Sequence, residues 1–458
     1  MSKKWELKFE ISERKVLLRV LDVLSVLTFI YVLSNFFEFY YFKIAEDNYF
    51  SLVILAAYLL LFGSIFNLYR LQEAVNFLKT IRNIFFTTVA TILIYLLTPV
   101  FAPSLPDNRL QIIYLFLSMF IGLLLWRSIY ISFFTNYNFS NKIILICNKD
   151  DFETLKSDLE AASPHIEVSQ AYFINDANIA YDYQLDFKNL MYTKKKSNHE
   201  FVVACPNSST ITIELNNLLI KLIEKGYSVR EYTHVFEDLS YRVPVHMVEK
   251  DFYKYFPFSR NNSNQLYQFF NRLLDIIVAF IGIILFIPFL IMVYLLNFIG
   301  NKGSLFYTQT RVGKFGKNFK IYKLRTMVSN AEKDGAMFAQ KNDVRVTPFG
   351  KYLRQIRFDE IPQLINVLKN EMSIIGPRPE RPEFVKQLND LMPFYETRHM
   401  IKPGLTGWAQ VNYNYGTTFD ESLIKLQYDL YYIKNRNIFL DASILLKTLS
   451  TVIFMKGQ

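Results

Sequence analysis

Two carboxylates stand side by side at Asp359 and Glu360, inside the stretch RQIRFDEIPQLINVLKNEMSIIGPRPERPEF that occupies 354–384. Arg354 and Arg357 precede them, and Arg378 follows between Pro377 and Pro379. A carboxylate that attacks phosphorus makes an acyl-phosphate and divides one transfer into two steps. A second carboxylate beside it can hold Mg2+, which neutralises the phosphate oxygens that would repel an attacking anion. Arginines bind the same oxygens, and a guanidinium held between two prolines does so at low entropic cost. These types and spacings fit phosphoryl chemistry, with Asp359 as nucleophile, Glu360 for the metal, and Arg354, Arg357 and Arg378 for phosphate. A plainer role is also open, in which Asp359 caps a helix and Glu360 favours its dipole.

Ile361, Leu364, Ile365 and Leu368 recur at helical spacing, which predicts a helix with Asp359 near its N-cap and Pro362 in its first turn. The positive helix end and the arginines are expected to keep Asp359 ionised. Upstream, KLRTM puts Lys323 and Arg325 two apart, on one side of an extended segment, a pair of cations suited to a diphosphate. Trp408 is a candidate surface for stacking a base or sugar, with a core or membrane-interface indole as the alternative. The five histidines are scattered, and His399 reads as a satisfied residue rather than a catalytic one.

The elements that must position these groups come from a chain of 458 residues, half of it apolar, with 43 Phe and 30 Tyr. Four apolar blocks, at about 16–42, 50–68, 84–101 and 110–134, approach or exceed the ~20 residues that cross a bilayer. Basic residues alternate heavy and light between them, which predicts that the N-terminus and everything after the fourth block face the cytoplasm. A net charge of +10 then suits a membrane surface and phosphate substrates, not nucleic acid. The two cysteines, Cys147 and Cys205, lack any zinc-like spacing. No cleavable signal is read at the start.

Strand-like and helix-like stretches alternate over about 141–250, from KIILIC through DDFETLKSDLEAA to YSVREYT, predicting a Rossmann-like α/β domain. The turn after KIILIC holds two acids and no glycine, which argues against nucleotide binding there. A structural, regulatory or dimerising role is expected, and a homodimer is plausible on that ground. YTKKKSNH, at 192–199, reads as a solvated charged loop. A fifth apolar block at 273–299 contains Pro288 and has basic flanks on both sides. Crossing would put the second flank outside, so a helix that enters one leaflet, breaks at Pro288 and returns is expected, with Asp275 at headgroup depth.

KIYKLRTM, RFDEIPQLINVLKNEMSIIGPRP and KPGLTGWAQVN, followed by YDLYYIKNRNIFLDASILLKTL, resemble the bacterial sugar transferase family over about 264–453. These are polyprenyl-phosphate phosphoglycosyl transferases with a re-entrant membrane helix. The layout ahead of this region is similar to the large form of the family. The resemblance implies transfer of a sugar 1-phosphate from a UDP-sugar to undecaprenyl phosphate, with release of UMP. It implies a covalent aspartyl phosphosugar on Asp359, Glu360 associated with Mg2+, phosphate binding by Arg354 and Arg378, and membrane re-entry at Pro288. The implied setting is the bacterial inner membrane and the start of capsule, exopolysaccharide or O-antigen synthesis. Where the family often continues Gly-Arg after WAQVN, this chain reads Tyr413-Asn414-Tyr415, which leaves the sugar open.

The fold class expected is therefore a membrane protein of α plus α/β type. It would comprise four transmembrane helices (1–138), a Rossmann-like middle domain (139–255) and a re-entrant helix at about 266–299. The last of these would carry a mainly helical cytoplasmic catalytic domain (260–458). Two rivals are a non-catalytic membrane scaffold of the same fold and a nucleotide-sugar-modifying oxidoreductase built on the middle domain. The intact acidic pair and the glycine-free turn speak against them.

Overall fold

The computed structural model describes residues 11–36, 49–69, 74, 77–98, 106, 108–135, 141–163, 166–173, 199–204, 213–245, 264–300, 304–328, 331, 343–392, 394–413 and 418–453. The charged stretch 192–198, Cys205, Asn414 and Tyr415 lie outside the described residues. The chain forms two compact units, Met1–Ser140 and Asn141–Gln458.

In the first unit the four apolar blocks are helices: α1 (Ile11–Phe36), α2 (Tyr49–Ile65), α3 (Phe77–Leu96) and α4 (Leu110–Thr135). Val16–Phe36 and Leu110–Ser132 are long and apolar enough to cross a membrane. Tyr49–Ile65 is apolar but shorter, and α3 carries Lys79 and Arg82 near its start. Leu55, Leu59, Tyr95, Leu115 and Met119 pack inside the bundle, while Val20, Leu24, Leu93 and Leu125 face outward. An apolar exterior over an equally apolar interior is what lipid, rather than water, permits. Among the described residues one ion pair is buried here: Arg127 donates to both carboxylate oxygens of Asp22, at 2.9 and 2.6 Å.

The second unit opens with four parallel strands, β1 (Asn141–Cys147), β2 (Ile166–Phe173), β3 (His199–Ala204) and β4 (Ser228–Glu231), in the order β2-β1-β3-β4. Ile143 through Cys147 are fully buried, as a central parallel strand covered on both faces must be. Helices α5 (Phe152–Ala162) and α7 (Tyr232–Ser240) cover one face, and α6 (Ile213–Glu224) covers the other. The expected strand YSVREYT is shorter than the reading: it stops at Glu231, and its aromatic end turns into α7. Tyr232 and Phe236, one turn apart, stack against each other in the core at 5.8 Å. Tyr241 ends α7 in a left-handed conformation. Val243 and Val245 then enter the core of the C-terminal region.

That region begins with α8 (Gln265–Gly300), the third helix long and apolar enough to span. It stays helical through Pro288, so any turn back there is a kink within α8 rather than a gap between two helices. Proline removes one donor and neighbouring bonds carry the helix on. Arg272 donates to the carbonyls of Val367 (2.7 Å) and Leu368 (3.0 Å). Asp275 is buried against protein, accepting from the amide of Ile374 (2.8 Å) and the hydroxyl of Ser373 (3.0 Å). Beyond α8, β5 (Phe306–Val312) and β6 (Asn318–Leu324) form an antiparallel hairpin. The helices α9 (Pro348–Gln355) and α10 (Leu364–Leu368) follow. Two short parallel strands, β7 (Ser373–Ile375) and β8 (Gly404–Thr406), bracket α11 (Pro382–Leu391). The chain closes with α12 (Trp408–Asn412), α13 (Phe419–Asn435) and α14 (Ile438–Ile453).

Candidate active site

The acidic pair does not lie at the start of an α-helix. Phe358–Gln363 is a 3-10 turn, and only Leu364–Leu368 continues as α-helix. Arg357, not Asp359, is the residue before the turn, in a left-handed conformation with φ of 56°. Such a conformation costs a non-glycine residue about 1 kcal/mol or more. It reverses the chain after α9 and divides the next three side chains. Phe358 goes to α8, 6.1 Å from Phe286 and 5.6 Å from Phe289 between ring centres. Asp359 and Glu360 go into a cleft of about 340 Å³, each 8% exposed.

The sequence motif VTPFGKYLRQ supplies one wall. Thr347 caps α9 by accepting from the amide of Gly350 (2.9 Å), with Pro348 at the first helical position. A side chain at position 350 would strike the backbone of Thr326. The glycine lets Thr326 lie across the helix, where its hydroxyl accepts from Nε of Arg354 at 2.9 Å. Arg325 and Lys323 line the same cleft, together with Leu324 and Thr326 between and beside them.

The two acids differ sharply in their partners. Glu360 Oε1 accepts from Nη2 of Arg378 at 2.6 Å and Nζ of Lys323 at 3.1 Å, and Oε2 lies 3.6 Å from Nη1 of Arg357. Asp359 makes no hydrogen bond or ion pair with any described residue. Burial alone would raise the Glu360 carboxyl, but Arg378 and Lys323 hold it well below the ordinary range. Asp359 moves the other way: burial first, and the charge of Glu360 next, push it up to about 6. The arginines still favour the ionised form of Asp359, but burial and the Glu360 charge outweigh them and bring its titration up toward neutral pH. Arg354 acts on Asp359 only through space. Burial also lowers the Lys323 ammonium, against the pull of Glu360.

Two residues that sequence reasoning passed over hold the Pro-Arg-Pro turn. Arg398 donates to the carbonyl of Arg378 (2.9 Å) and to Asp429 (2.8 Å), and it also bonds Tyr395 Oη. Arg311 reaches the carbonyl of Pro379 at 3.1 Å. Arg378 is thus anchored at its backbone from two sides and presents its guanidinium to Glu360. Burial pushes the Asp429 carboxyl up to about 6 despite Arg398. Burial and the Arg398 charge lower the His399 imidazole to about 4, in keeping with a neutral, packed residue. A basic residue four before KPGLTGW was the available signal for Arg398. Only its burial distinguishes it from the many other arginines.

Trp408 does not face the cleft. It is 3% exposed, its Nε1 donates to the carbonyl of Tyr241 (3.2 Å), and it stacks on Tyr431 at 6.3 Å. The stacking role considered for it is corrected: the chain entering from the middle domain occupies the indole. Glu237 and Lys434, paired at 2.7 Å, and the bond from Val243 N to Gln427 O (3.1 Å) fasten the same junction. Tyr413 remains on the cleft wall.

The donor set accommodates Mg2+ in one way. No cluster of three His, Cys, Asp or Glu exists among the described residues. Mg2+ is commonly held by one or two carboxylates together with substrate phosphates. The adjacent acids satisfy that requirement only alongside a phosphate ligand.

Comparison with known proteins places the C-terminal region in a family. The profile of the family described as bacterial sugar transferase matches residues 266–455. A putative undecaprenyl-phosphate N-acetylgalactosaminyl 1-phosphate transferase of Bacillus subtilis is 45% identical over 141 residues, 31% of this chain and 79% of that protein. The chain belongs to the bacterial sugar transferase family. A UDP-N-acetylgalactosamine-undecaprenyl-phosphate N-acetylgalactosaminephosphotransferase of Aeromonas hydrophila is 39% identical over 256 residues, 56% of this chain and 59% of the relative. A UDP-glucose:undecaprenyl-phosphate glucose-1-phosphate transferase of Klebsiella pneumoniae is 39% identical over 187 residues, 40% of each chain. This bacterial sugar transferase is thus matched over about half the length of these last two relatives.

Proposed function

We propose that this sugar transferase moves a sugar 1-phosphate from a UDP-sugar to undecaprenyl phosphate through a phosphosugar carried on Asp359. The observation that carries the reading is the division of labour in the pair. Glu360 absorbs the surrounding cations, and Asp359 stays buried, unpaired among the described residues and ready to bond to phosphorus. Lys323, Arg325, Arg357 and Arg378 meet the donor's phosphates and balance the charge that builds on their oxygens. Mg2+, bound by Glu360 with the donor's phosphate oxygens, would neutralise part of the diphosphate charge. The relatives' names support the substrates, and the start of a surface glycan follows as the use of the lipid product.

The same reading puts the protein in the bacterial cytoplasmic membrane, with the catalytic region on the cytoplasmic side. Side chains of α8 from Arg272 to Val293 touch this region: Arg272 meets α10, Asp275 meets β7, and Phe286 and Val293 pack with Leu324 and Leu353. That stretch covers about 30 Å of helix axis at 1.5 Å per residue. A helix crossing the bilayer would carry Val293 away from a domain left in water. Re-entry, with both ends on one side, is therefore favoured, and the exposed Ile277, Ile284, Leu285 and Ile291 would meet lipid.

The deciding experiment incubates purified protein with Mg2+, undecaprenyl phosphate and a panel of UDP-sugars and measures UMP. Mass spectrometry without acceptor should find a phosphosugar on Asp359. Turnover without any such adduct would rule out the two-step route.

A further inference from the structure

Resting on the transferase reading above, we propose that the cleft wall formed by α12 and α13 holds the donor's sugar. There Gln410, Tyr413, Ser422, Lys425 and Asp429 would select which UDP-sugar is accepted. Phosphoryl displacement places the entering and leaving oxygens roughly in line. In the first step a carboxylate oxygen of Asp359 bonds to the sugar-bearing phosphorus. The bond from that phosphorus to the UMP oxygen breaks, and UMP leaves with the electron pair. In the second step an oxygen of the lipid phosphate bonds to the same phosphorus, and the bond to Asp359 breaks, restoring its carboxylate. The position opposite Asp359 is filled by UMP first and by the lipid phosphate next. These two groups take turns in one place. The sugar hangs from a bond that neither step breaks, so it keeps one berth throughout the cycle.

The membrane helix decides which side is which. The wall bearing Arg354 and Arg357 rests directly on α8, through Phe358 against Phe286 and Phe289 and through Leu353 in the cluster with Val293. A phosphate tethered to an apolar chain arrives at this wall. The sugar berth is then the remaining wall. On α13, Ser422, Lys425 and Asp429 lie three or four residues apart, on one stripe that lines the cleft. The adjoining Leu430 and Ile433 pack in the core with Val243 and Val245. The wall offers hydroxyls, an amide, an ammonium and a carboxylate, the mixed donors and acceptors that a pyranose requires. The carbonyl oxygen of Gln410 is buried with no partner among the described residues, an acceptor that a sugar hydroxyl would satisfy.

Lys425→Gln and Tyr413→Phe test the assignment in the full-length protein. UMP release is measured for glucose, galactose and their N-acetylated UDP derivatives, together with inhibition by UMP and the KM for undecaprenyl phosphate. The ratio of kcat/KM between donors should change about tenfold or more in at least one variant. UMP inhibition and the lipid KM should stay at wild-type values in both. Unchanged donor ratios in both variants, or weakened UMP inhibition with those ratios intact, would overturn the proposal and assign this wall to uridine or to scaffolding. Thermal melting of each variant separates a folding failure from either result. A wild-type protein that releases no UMP from any donor defeats the transferase reading first, and this inference with it.

Discussion

Replacing Asp359 by asparagine should abolish transfer and, at the same time, stabilise the fold. The folded protein holds this carboxyl at about 6 against an ordinary 3.8, with burial the leading cause. Its pKa is raised on folding, so its favourable contribution is complete below the unfolded value and is lost as pH rises through about 6. At about 1.4 kcal/mol for each tenfold in proton affinity, ionising it at pH 7.5 costs the folded state about 2–3 kcal/mol. Asparagine keeps the shape and removes the charge. At about 2 °C per kcal/mol for a large domain, the melting temperature at pH 7.5 should rise by about 5 °C. The gain should shrink as pH falls to 5, where the wild-type carboxyl takes up its proton. Thermal melts in nanodiscs at several pH values, read beside UMP release, supply both measurements. A melting temperature that is unchanged or lower at pH 7.5, or a variant that still turns over, would refute the reasoning.

Other outcomes follow from the same cleft. Since Asp359 must be ionised to attack, kcat/KM should climb with pH through about 6 and level off above it; Asp429→Asn should keep this limb. Glu360→Ala leaves the half-buried Lys323 and Arg378 without their carboxylate, and should lower stability by about 1–3 kcal/mol along with activity, measured by melting and UMP release. Trp408→Phe loses the bond to the Tyr241 carbonyl, and should lower stability by about 1–2 kcal/mol while the KM for donor is unchanged. Single cysteines at Gln265 and Gly300 should both label from the cytoplasmic face if α8 re-enters; labelling from opposite faces would establish a spanning helix.

Much of this architecture was legible in the residue order. Apolar blocks longer than a soluble helix needs forecast α1 to α4 and α8, because lipid rewards apolarity on every side of a helix. KIILIC forecast a central parallel strand, since only a strand covered on both faces is apolar at each position. The run of acids and arginines around Asp359 and Glu360 pointed to one shared cleft, and Arg354, Arg357 and Arg378 line it with both acids. Their chemical difference was not legible. Lys323 comes from β6, Arg378 from the turn after β7, and Arg357 from a left-handed residue with no glycine to announce it. Trp408 looked equally able to stack on substrate or core until the segment after α7 was seen to cover it.

Sequence alone determined what depends on near neighbours: which segments prefer lipid, which strands are buried on both faces, and which two acids are adjacent. Tertiary structure alone decided which of those acids is neutralised, since that turns on cations arriving from three separate elements within about 4 Å, where electrostatics in a dry cleft is strongest. It also decided that α8 stays beside the catalytic region along its length and that Arg398 anchors the turn bearing Arg378. Contacts between distant segments have no counterpart in local pattern, so packing had to choose them.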